Sequence, residues 1–229
     1  YFSRLREGVQ YLFSGKFVTY LLMGEMLFSS CIVVWMSLIL FPMYYSYMLT
    51  DVAVASFRTI AKIPSVFYSE RSGVWAKRFA AKKWISRFRF IQTCGALFFW
   101  TFAVIMFVFP VPPPGSPVIE YIIPGTDILL LSVPSDSLVP VMLMIVVFFV
   151  LGIFLAVANV LISRVFVDAI PNRVRNGVYS LFPTITTLLS IPQIAFFSWL
   201  ISVAPISLTL ILTGVISTIG VLLINQAYK

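Results

Sequence analysis

Residues Val52–Ser69 read VAVASFRTIAKIPSVFYS, and whether this stretch crosses a membrane decides between five spans and six. It is apolar, but Arg58, Lys62 and Pro64 interrupt it. Around it lie five segments that exceed the ~20 apolar residues needed to cross the hydrocarbon core. They are Phe17–Met48, Phe90–Val111, Leu138–Val167, Val178–Val203 and Ile206–Ile224. Lys and Arg concentrate in cytoplasmic loops. If Val52–Ser69 spans, all but Arg58 and Lys62 of the 16 basic residues fall on one side of the membrane. The other side then holds Asp51, Glu120, Asp127 and Asp136 and no basic residue. Without that span, the basic run from Arg71 to Arg89 would lie opposite Arg4 and Arg6. The sequence therefore predicts an all-α membrane protein with six transmembrane helices and both termini cytoplasmic. Residues 1–16 form a cytoplasmic linker or interfacial segment, residues 17–229 the bundle, and 111–137 an outer loop.

Composition agrees. Of 229 residues, 60% are hydrophobic and 10% charged, and the mean hydropathy is +1.02. A soluble domain carries about 25% charged residues. The net charge of +8 is read as a topology signal, so the bilayer is an expected partner and nucleic acid is not. There is no histidine, which removes His-ligated metal sites and His-based triads. Cys31 and Cys94 have no metal-ligand spacing. No metal, cofactor or catalytic residue is expected, and an enzyme is not. No signal peptide is visible, because the first apolar segment is too long and lacks a cleavage site.

The outer loop carries the turn-forming run Pro112–Pro117 and two β-rich stretches, Val118–Ile123 and Ile128–Val133. A small hairpin over the outer face is expected, with Ser135-Asp136-Ser137 as the N-cap of the fourth span. The 32-residue first span is expected to start as an interfacial stretch, to tilt, or to bend at Pro42. Pro183 and Pro192 lie inside the fifth span, where each frees a carbonyl and favours a kink.

The loop after the second span reads Gly73-Val74-Trp75-Ala76-Lys77-Arg78-Phe79-Ala80-Ala81-Lys82-Lys83. This is similar to the signature loop of the major facilitator superfamily, G-x-L-A-D-R-x-G-R-R/K-R/K. Gly73, Ala76, Arg78, Lys82 and Lys83 match in place. Trp75 replaces a leucine, Ala80 a glycine and Ala81 an arginine, and Lys77 stands where the family has aspartate. Leu5-Arg6-Glu7-Gly8 with Tyr11-Leu12 resembles the segment before helix seven in efflux-type members. Asp168-Ala169-Ile170-Pro171 with Arg173, Arg175, Asn176 and Gly177 resembles the turn between helices ten and eleven. The resemblance covers nearly the whole chain and identifies it with the C-terminal six-helix half.

That resemblance implies a secondary transporter moving a small molecule by alternating access, with proton-coupled efflux as its form and the plasma membrane as its place. Its partner would be a missing N-terminal half, a second chain or other membrane subunits; the chain begins at Tyr1 rather than Met. The loss of the aspartate leaves a second expectation open: a transporter-derived accessory subunit with no transport of its own.

Charges inside a membrane mark functional sites by default. Arg58 and Lys62 share a helix face, four residues apart. At 1.5 Å per residue they lie roughly 10 and 16 Å below Asp51. They are candidates for an anion site, or for pairing with an acid elsewhere. Glu25 is expected to pair with the inner loop at Arg71, Lys77 or Arg78, with a protonatable coupling carboxylate as its sharper reading. Asp168 is expected to pair with Arg173 or Arg78 at the inner surface. Asn159 and Ser163, one turn apart, are candidates to line a polar path or to join helices.

Overall fold

The computed structural model describes residues 2–49, 81–113 and 115–228, with isolated positions 51, 54, 55, 66, 70, 71 and 74. The chain is predominantly helical. It opens with the short helix α1 (Phe2–Leu12). Next comes α2 (Lys16–Val34), a π-helical turn over Trp35–Ile39, and α3 (Leu40–Met48). Helix α4 runs Ala81–Val108. A hairpin follows, with β1 (Val118–Ile122) antiparallel to β2 (Leu129–Pro134). The chain ends with α5 (Leu138–Ala169), α6 (Asn172–Val203) and α7 (Ile206–Ala227). Among the described residues, five helices are long and apolar enough to cross a membrane: Lys16–Met48, Arg89–Val108, Ser135–Arg164, Asn172–Val203 and Ile206–Ala227. These are the five strong segments of the sequence, with ends that agree or differ by up to about six residues. The Val52–Ser69 segment lies largely outside the described residues, although Val54 is buried against the bundle core.

Helices α2, α4 and α7 form the centre, and α2 packs along α7 more extensively than any other pair. Small residues let helix backbones approach closely. Gly24 and Gly220 do so here. A Cβ on Gly24 would lie 2.6 Å from the Gly220 carbonyl oxygen, and one on Gly220 would lie 2.9 Å from the Gly24 oxygen. Gly95 of α4 receives the Phe28 ring, and Gly214 of α7 lies under Trp100. The Trp100 indole also donates to Thr218 at 3.2 Å.

Towards α3, an aromatic nest closes the bundle. The ring of Trp35 meets Phe98 edge-on at 5.1 Å and Phe148 at 5.5 Å. Phe98 meets Phe102 at 4.5 Å. Such pairs contribute about 0.5–1.5 kcal/mol each beyond burial. Tyr47 ties α3 to the end of α4 by donating to the Phe109 carbonyl at 2.6 Å.

The first span leaves regular α-helical geometry before its proline. The irregularity falls at Trp35–Ile39, where the Leu40 amide donates to the Trp35 carbonyl, and α3 runs through Pro42. A π turn admits the extra residue upstream of a position that cannot donate. The Ser46 hydroxyl then bonds the Pro42 carbonyl at 2.7 Å.

The expected hairpin is present. Its turn holds Gly125 at φ +81°, a left-handed conformation that glycine adopts without strain. The expected N-cap takes another form. Ser135–Ser137 make a 3-10 turn leading into α5, and Ser137 is buried with no partner for its hydroxyl among the described residues.

Candidate functional site

The contact at Gly24 and Gly220 fixes what lies beside it. Glu25 follows Gly24 on α2, and Asn225 lies just beyond Gly220 along α7. Helix α4 brings Arg89 and Gln92, one turn apart, to the same junction. Glu25 and Gln92 are each 1% exposed. The Gln92 side-chain amide donates to Glu25 Oε2 at 2.7 Å, and the Ser29 hydroxyl donates to Oε1 at 3.2 Å. A buried charge is normally paired or hydrogen-bonded. Among the described residues both partners of this carboxyl are neutral; two of the three bases expected to pair with it, Lys77 and Arg78, lie outside the described residues. The third, Arg71, is exposed.

Arg89 is engaged beside this pair. Its Nε donates to Asn225 Oδ1 at 2.5 Å, and its guanidinium lies 6.0 Å from the centre of the Tyr228 ring. Tyr228 also meets Phe17 edge-on at 5.4 Å, closing the junction at the ends of α2 and α7. Burial pushes the Tyr228 phenol up to about 12, with Arg89 pulling the other way and the Glu25 charge adding to the rise. The phenol thus feels both the base and the acid of the cluster.

A second polar contact leaves α2 on its other side. Ser30 is buried and accepts from Gln193 Nε2 of α6 at 2.7 Å. The same Gln193 amide donates to the Leu189 carbonyl at 2.9 Å, and Cys31 Sγ lies 3.8 Å from Gln193 Oε1. Gln193 directly follows Pro192, so the α2–α6 bridge sits where α6 has lost a backbone donor.

The other sequence candidates are placed as follows. Asn159 is exposed, and its backbone carbonyl accepts from Ser163 within α5. Arg173 lies 3.7 Å from Glu7, joining α1 to the start of α6; the side chain of Asp168 is outside the described set. Arg58, Lys62, Gly73, Ala76, Lys77 and Arg78 lie outside the described residues, and Lys82 and Lys83 are described only as part of the α4 backbone. Sequence reasoning did not single out Gln92, Gln193, Asn225 or Tyr228. The signal for the first two was present: each is a carboxamide inside an otherwise apolar span, where a polar group needs a partner.

Chemically, the junction holds one carboxyl that can take or release a proton, fixed by neutral donors on two helices. No family model, curated protein or solved structure matches the chain.

Proposed function

We propose that the chain is one six-helix half of a secondary active transporter of the major facilitator type. It moves a small molecule by alternating access, with Glu25 as the group that exchanges a proton. The observation that carries this reading is Glu25 itself, buried on a membrane-length helix and held by Gln92 and Ser29 rather than by a described cation. A carboxyl locked in a permanent ion pair would be a poor proton carrier, whereas neutral donors serve the charged form and allow the protonated one. The twin prolines of α6 support the same reading, since a helix short of backbone bonds deforms more readily than its glycine-locked neighbours. Transport requires a second half that completes a central cavity.

The test is reconstitution of the whole protein in liposomes loaded with a pH-reporting dye. The vesicles are challenged with a panel of amphipathic organic cations and anions. The proposal expects compound-dependent proton movement that Glu25→Gln abolishes. Inactivity toward the whole panel, or activity that Glu25→Gln leaves intact, would count against it. A second reading, an accessory subunit derived from such a transporter, is favoured by Lys77, Ala80 and Ala81 in the signature loop.

A further inference from the structure

Helix α1 has two faces with different tasks. Gly8 and Leu12, one turn apart, are buried against α6. A Cβ on Gly8 would meet Leu181 at 2.9 Å and the Gly177 backbone at 3.1 Å. The opposite stripe, at the same helical spacing, holds Arg6, Val9, Gln10 and, just past the helix end, Phe13, all exposed. Phe13 is 67% exposed. Lys16 follows it at the start of the first membrane-length helix and is exposed too. Arg173, at the first turn of α6, joins this corner through Glu7 but remains 83% exposed. Three exposed cations and a large exposed aromatic ring thus lie on α1, at the start of α2 and at the start of α6, with Glu7 paired to Arg173.

We infer that this corner is a docking surface for anionic phospholipid headgroups: α1 lies in the membrane interface, Phe13 and Val9 enter the acyl boundary, and Arg6, Lys16 and Arg173 meet phosphates. The occupant follows from charge and continuity. The exposed stripe carries Arg6 together with Val9 and Phe13, so a helix lying at the headgroup level can put the apolar side chains into the acyl boundary while the arginine stem reaches back to the phosphates. Anionic lipid attracts juxtamembrane basic residues. The exposed stripe also runs directly into Phe17 and Tyr20, exposed on α2 where that helix enters its apolar span. The inference rests on the membrane-spanning reading of α2 and α6 and is independent of transport.

The test uses the whole protein in nanodiscs of phosphatidylcholine, with or without phosphatidylserine, followed by amide hydrogen exchange. Phosphatidylserine is expected to slow exchange across residues 5–13 by about fivefold or more, as one basic contact alone would do. The variant carrying Arg6→Gln, Lys16→Gln and Arg173→Gln is expected to lose that slowing. Equal exchange in both lipids would overturn the inference, as would slowing that survives in the variant. Slowing reproduced by inorganic phosphate in phosphatidylcholine discs would also overturn it, in favour of a free anion. Exchange within α2 and α6 serves as the separate readout of membrane insertion: rapid exchange there would remove the spanning reading itself.

Discussion

Gln92 donates to Glu25 at 2.7 Å across the α2–α4 contact, with both side chains 1% exposed. Two buried polar groups from different helices depend on each other, so removing one strands the other. Gln92→Ala is expected to lower unfolding stability by about 1–3 kcal/mol. Replacing both residues by leucine is expected to recover part of that loss, because neither is then left unsatisfied. Steric-trapping or denaturant unfolding in detergent measures this as a double-mutant cycle. Additive effects would show that the pair does not act as one unit.

The glycines divide by what surrounds them. A Cβ on Gly24 would press on backbone atoms of Gly220 and Ile224 at 2.6 and 2.9 Å, which a rotamer change cannot relieve. Gly24→Ala is expected to destabilise by about 1–3 kcal/mol as α2 and α7 separate. Gly152, in α5, has nothing within 4 Å of such a Cβ. Gly152→Ala is expected to be stabilising by about 0.5–1 kcal/mol through helix propensity. Thermal melts of both variants check the contrast, and equal effects would contradict the proposed helix crossing.

Tyr228 links stability to alkaline pH. Its phenol is raised by burial from 10.0 to about 12. The folded state therefore holds its proton more tightly than the unfolded chain. The resulting contribution is fully present below about 10 and is lost as pH rises through about 12. Tyr228→Phe removes this loss. The hydroxyl has no partner among the described residues, so the variant is expected to be at least as stable as the parent at neutral pH and to gain further on it in the alkaline window. Melts at the two pH values decide it, and a parent and variant that decline together would contradict the assignment.

Pro192 sits in the middle of α6, one residue before the Gln193 bridge to Ser30. Pro192→Ala restores a backbone donor and is expected to stabilise α6 by up to about 3 kcal/mol. In a transporter the same change is expected to slow turnover, because the helix loses its point of give. Faster transport with unchanged stability would contradict this account of α6.

Much of the architecture was legible because its signals are local. Length and hydropathy marked five spans, and Leu138 and Ile206 are helix starts in both readings. Turn chemistry located the hairpin to within a residue or two. A bend at Pro42 is one of the expectations for the first span; the irregularity the structure shows there is a π turn at Trp35–Ile39. A proline's missing bond is visible in sequence, whereas where the helix relieves it depends on packing. The site was half legible. Glu25 stood out as a charge in an apolar span. Its partner did not, because the alignment of α2 with α4 follows from three-dimensional contacts such as Phe28 on Gly95. Charge arithmetic points to the basic loop, whose Lys77 and Arg78 lie outside the described residues, and it gives no sign of the neutral amide that geometry adds.

The most direct test of the proposed transporter half is native mass spectrometry of the assembly extracted gently from its own membrane. The account predicts this chain within a body that holds a second six-helix unit, in one polypeptide of about twice the 25.8 kDa mass or as a pair of chains. A 25.8 kDa chain held among unrelated subunits, with no second half, would contradict it.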